Sequence, residues 1–302
     1  MKVVFSFQSN NSSKPQKQNV AFGAGLMPEF EQAIRNADVL EISHGFAKQG
    51  IETDFKGNKF VAWGCKIVIN ALQDANRRFR AGFVFPSGIC VEDFGKLNVD
   101  DPMMTGVCNL TPTFLRKNST EKTPPRTIFF NSFESIPQGK KRYVHSWDAV
   151  NVDKSADEAY ATKFKSTDFF LERMLHEFSH VIHGKNVEEK IGGKALAAEA
   201  RSFQEEPSRI ERYRAEYGEI MSQICRYAEE TDPFEAVACD MTGLFANAFD
   251  KRTLMLTRNP LIDTPYENLH FWQPKRIRIP VYSKEKRPPT EIKRDFWNGK
   301  FD

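Results

Sequence analysis

The chain has 302 residues, 40% hydrophobic and 12% aromatic, which is apolar material enough for one large domain or two small ones. Its 43 Lys and Arg against 40 Asp and Glu leave a net charge of +3, too slight to imply a nucleic-acid partner. Five scattered Cys with no CxxC pair argue for reduced thiols rather than a disulfide framework, and no apolar run approaches the roughly 18 residues of a membrane span or forms the core of a secretory signal.

In chain order, residues 6–19 are polar and low in complexity, so 1–20 is expected to be a flexible N-terminal segment. A helix is predicted over 28–38, around Phe30 and Ile34. Strand-like runs follow at 50–55 and 60–69, then a helical ALQDANRRF stretch and a strand pair across 81–94. The segment TPTFLRKNSTEKTPP at 111–125 reads as an exposed loop, and the RTIFF run at 126–130 as a strand.

The next element carries the chemistry. Residues 168–183 read as one amphipathic helix, opened by Ser166, Thr167 and Asp168, striped by Leu171, Leu175, Phe178 and Ile182, and stopped at Gly184. Within it His176-Glu177-Phe178-Ser179-His180 forms an HExxH motif. Residues four apart on a helix lie about 40° apart and one turn up, so His176 and His180 can chelate one metal ion. Glu177 is turned by about 100°, which leaves its carboxylate free to activate a water. That arrangement predicts a zinc-dependent hydrolase, and a peptidase first.

Downstream, 186–206 is charged and reads as a solvated linker or a mobile flap. Pro207 opens a helix carrying Ile210, Tyr213, Tyr217, Ile220, Met221 and Ile224. Asp232-Pro233 opens another, with Phe234, Val237, Met241, Leu244 and Phe245 as its buried stripe, and a basic stretch containing Lys275, Arg276, Arg278 and Arg287 closes the chain. Mixed helix and strand before the motif and mostly helix after it predict an α+β fold, with an upper α/β subdomain over 21–184, a mainly helical lower subdomain over 185–302 and an active-site cleft between them.

A catalytic zinc needs a third protein ligand. His183 shares a face with His176 but lies about 10.5 Å along the axis, too far for one ion on a straight helix, which suits it to lining the cleft or supporting a ligand. His44, His145 and His270 are isolated. Glu235 sits early in the apolar DPFEAVACDM helix and needs a partner there, although Asp232-x-x-Glu235 equally matches a capping box. Asp240, about 140° around from Glu235, should not serve the same ion.

The combination of MLHEFSHVIHG with the later RYAEETDPFEAVA block resembles the catalytic domain of anthrax lethal factor and related toxin and effector zincins. The likeness covers two blocks of the chain, and residues 1–165 match only in the rough order of their elements. It implies a zincin fold in which His176, His180 and Glu235 bind Zn2+, Glu177 is the general base and Tyr227 is the phenol that hydrogen-bonds the oxyanion. Two departures stand out: the family helix often carries a second acid where this chain has Cys239, and Tyr227 precedes Glu235 by eight residues rather than seven. By the same resemblance the chain would be a monomeric bacterial effector, secreted without a classical signal, that cleaves a host protein in the host cytosol. A housekeeping cytoplasmic zinc peptidase or amidase, and a zincin-fold binding protein without activity, are the rival expectations.

Overall fold

A computed structural model describes residues 5–6, 28–79, 84–102, 104–135, 169–222, 224, 226–248 and 289–301. The chain divides into two compact units, one of Met1–Val68, Pro86–Ala159 and Asp168–Met174, the other of Ile69–Phe85, Tyr160–Thr167 and Leu175–Asp302. A mixed sheet comes first and a mainly helical region after it, which is the α+β order that the sequence implied.

The first unit is built on strands β2 (Glu52–Asp54), β3 (Gly88–Glu92), β4 (Gly106–Asn109) and β5 (Thr127–Asn131), edged by the two-residue β1 (Phe5–Ser6) in the order β1-β4-β5-β3-β2. Strands β2, β3 and β5 are parallel, Ile89 pairing with Thr53 and Ile128, while β4 runs antiparallel to β5. Every residue of β5 is buried, as expected of a strand covered on both faces. Two buried asparagines anchor the neighbouring loops. Asn131 Nδ2 donates to Met104 O at 2.7 Å, and Asn109 Nδ2 donates to Pro124 O at 2.7 Å.

Helix α1 (Pro28–Arg35) fills most of the span expected to be helical, 28–38, and a second helix not expected, α2 (Val39–Ala47), follows it. The break falls at Asp38, whose carboxylate accepts from Leu40 N and Glu41 N and so starts a new helix. The strand expected over 60–69 is instead the first half of α3 (Lys59–Phe79). Asn58 Oδ1 caps it by accepting from Val61 N at 3.0 Å, and buried Val61, Cys65, Val68 and Leu72 recur at helical spacing. The segment 111–125 is not a plain exposed loop: Thr113 and Thr123 form a bridge, and Leu115 is buried in a cluster with Phe94, Leu97, Met104, Val107 and Phe129. Only Ser6 of the polar 6–19 segment, and none of the basic residues at 275–287, lies among the described residues.

The second unit holds α4 (Phe169–Ile191) from Leu175 onward, α5 (Gly193–Glu205), α6 (Pro207–Met221), α7 (Arg226–Glu230), α8 (Pro233–Ala248) and α9 (Pro289–Trp297). Gly184 does not end α4. The helix runs through it to Ile191, and the stop is Gly192, whose φ of 86° only glycine adopts freely. The expected linker over 186–206 is therefore the end of α4 and all of α5. No described helix is long and apolar enough to cross a membrane.

Candidate metal centre

Helix α4 is buried on every side from Arg173 to Gly184, so its polar residues must find partners inside the protein. His176 and His180 are each 1% exposed, and their rings meet edge to face with centroids 4.7 Å apart. His180 Nε2 lies 3.1 Å from His176 Nε2. Two imidazole nitrogens this close need a proton or a cation between their lone pairs.

Glu235 completes the group from α8. Its Oε2 lies 3.0 Å from His176 Nε2 and 3.4 Å from His180 Nε2, and the carboxylate is 2% exposed. The capping alternative resolves in an unexpected way. Asp232 does cap α8, its Oδ1 accepting from Phe234 N at 2.7 Å and Glu235 N at 3.0 Å, but the Glu235 side chain turns to the histidines.

Among the described residues, His176, His180 and Glu235 form the one buried group whose ligand atoms come close enough to hold a metal ion. Their separations of 3.0, 3.1 and 3.4 Å fit that role, because donors bonded to zinc at about 2.0–2.1 Å in a tetrahedron stand roughly 3.3–3.4 Å apart. A donor set of two imidazoles and one carboxylate is one that zinc and other first-row divalent ions, iron(II) among them, accept.

Burial pushes the Glu235 carboxyl well above its ordinary range, while a hydrogen bond from Tyr227 pulls it down. Burial lowers His180 to about 4, against a small opposing pull from Asp232. Asp232 itself is raised to about 7 by burial and by the charge of Glu235. Each shift moves its group toward neutrality; a bound cation would reverse the shift of Glu235 and reinforce that of His180.

Around the three, Glu177 is 1% exposed on α4, next to the first histidine. Tyr227, on α7, lies with its ring 6.5 Å from that of His176 and its phenol bonded to Glu235. Asp240 is buried on α8 outside the convergent group.

His183 faces elsewhere. Its Nε2–H donates to Phe296 O at 3.0 Å and its ring stacks on Trp297 at 5.5 Å, so it belongs to the packing of α9 on α4. Burial lowers it to about 3, which favours the neutral imidazole.

Sequence reasoning did not anticipate the surroundings of His176. Its Nδ1 lies 3.9 Å from Cys239 Sγ, so the thiol backs the ring on the side away from the Nε2 that faces Glu235 and His180. The departure from an acid at this position was visible in the sequence; the contact was not. His44 is exposed on α2, and His145 and His270 lie outside the described residues.

Comparison with protein-family models, with curated proteins and with solved structures finds no match to this chain.

Proposed function

We propose that the protein is a zinc-dependent endopeptidase with a zincin-like site, in which His176, His180 and Glu235 hold the metal. The convergence of His176 Nε2, His180 Nε2 and Glu235 Oε2 within 3.0–3.4 Å carries this reading. Zinc held by these three residues would supply Lewis acidity, enough to lower the pKa of a water toward about 7. Glu177, on α4 beside His176, would be the general base that takes a proton from the attacking water and returns it to the leaving amine. Tyr227 donates its one phenol proton to the Glu235 carboxylate, and to serve the oxyanion that proton would turn away from the carboxylate. Cys239 holds the His176 ring from behind.

A protein substrate follows from the peptidase reading, and its assignment to a host cell follows from the resemblance to toxin and effector zincins alone. The test is the purified chain with one equivalent of zinc, incubated with unfolded casein and with host-cell lysate, beside Glu177→Gln. Cleavage abolished by that variant supports the peptidase, and a single new cleavage site in the lysate supports a dedicated substrate. Zinc bound without cleavage of either leaves a metal-binding protein in place of the enzyme. No zinc bound at all removes the proposal.

A further inference from the structure

The two metal-bearing helices share a third partner. The C-terminal residues from α9 to Phe301 touch α4 immediately beyond the HExxH pair and touch α8 immediately before Glu235. On the α4 side, His183 donates to Phe296 O, Asn186 Nδ2 donates to Trp297 O at 2.5 Å, and Trp297 lies within 17° of parallel to the His183 ring. Gly299 passes so close that a Cβ there would stand 2.8 Å from Val187 Cγ1. On the α8 side, the Phe301 ring lies 4.5 Å from that of Phe234, the neighbour of the carboxylate ligand. Phe234 in turn contacts the His183 ring at 5.5 Å.

We propose that this segment is a strap that sets the separation of α4 and α8 at the metal centre, with His183 as its positioning residue. The inference rests on the metal reading above. A helix transmits a rotation or shift rigidly over one turn, so fastening α4 at His183 fixes where His180 and His176 present their nitrogens. Fastening α8 at Phe234 does the same for Glu235. Metal ligands must be held within about 0.5 Å of the productive geometry, so loosening the strap costs affinity even with all three ligands present. By linkage, zinc must tighten the strap by the same factor.

The probe is zinc alone, on the full-length chain, with affinity measured by competition against a chromophoric chelator. His183→Leu keeps the volume and removes the donor, and should weaken zinc by about 10–100-fold. His183→Gln, whose amide can reach Phe296 O, should recover most of that loss. A residue that merely supports the fold would lower the melting temperature of metal-free and zinc-loaded protein alike and leave the affinity in place. Independently of any variant, zinc should slow hydrogen exchange at the amides of Asn298, Gly299 and Lys300, which bond to the last turn of α9. Unchanged affinity in a folded His183→Leu, or exchange indifferent to zinc in the native chain, overturns the strap. A native chain that binds no zinc overturns the metal reading beneath it.

Discussion

Glu235→Gln keeps the side-chain volume, removes the charge and separates a metal ligand from a helix cap. In α8 the cap is Asp232, whose two bonds at 2.7 and 3.0 Å remain in the variant, so the roughly 1 kcal/mol that a lost cap costs is not at stake. What is lost is one of three metal contacts. If zinc gives about 10–16 kcal/mol over the four ligands of a structural site, one ligand carries about 2.5–4 kcal/mol, a fall of roughly 10²–10³ in affinity. Without metal the sign reverses. Burial holds the Glu235 carboxyl well above the ordinary 4.5, so the folded chain keeps a proton that the unfolded chain releases. That stabilisation is full below the unfolded value and is lost as pH rises toward the folded one, at about 1.4 kcal/mol per pH unit. Glutamine has no proton to lose. In excess chelator the variant should therefore melt above the native chain at pH 8, the gap closing by pH 4, whereas with zinc the native chain should melt higher. Metal content after dialysis and melts across pH read both effects. A zinc-replete Glu235→Gln, or a melting gap that does not depend on pH, refutes the assignment.

Glu177→Gln should retain zinc and lower kcat by about 10²–10⁴, and a variant keeping more than about a tenth of native kcat would remove Glu177 as the base. Tyr227→Phe frees the Glu235 carboxylate, so zinc affinity should fall by about tenfold alongside kcat; unchanged values of both would leave the phenol without a role at the site. Gly299→Ala forces a Cβ to 2.8 Å from Val187 Cγ1 at a φ of 79°, and should cost about 1–3 kcal/mol, read as a lower melting temperature.

What the sequence revealed was local. The HEFSH pair needs only one helical turn, and its four-residue spacing survives intact in α4. Glu235 stands 59 residues from His176, and it could be singled out only as an acid misplaced in an apolar helix and through the family resemblance. The errors are also physical. Val61, Ile67, Val68 and Ile69 are β-branched and favour a strand, but Asn58 caps the segment and the buried positions follow the helical period. Gly184 resembles a stop, yet a glycine ends a helix only where the backbone turns to positive φ, as it does at Gly192. Strand β4 is four residues long, too short to show a period. The partner of His183 is a main-chain carbonyl 113 residues away, and a carbonyl leaves no mark on residue identity.

The polar interior of the helical unit would be hard to explain as a source of stability. His176, Glu177, His180, Glu235 and Asp240 are all at most 2% exposed among apolar neighbours, and an apolar set of the same volume would serve folding better. Burial lowers His180 to about 4 and holds Glu235 well above its ordinary range, so the charged forms of both carry a desolvation cost. A divalent cation shifts that balance. It favours neutral imidazoles, which burial already supplies at His180, and it favours the ionised form of Glu235. The features that are costly without a cation, a raised carboxyl and two facing imidazole nitrogens, are the ones that a cation converts into binding.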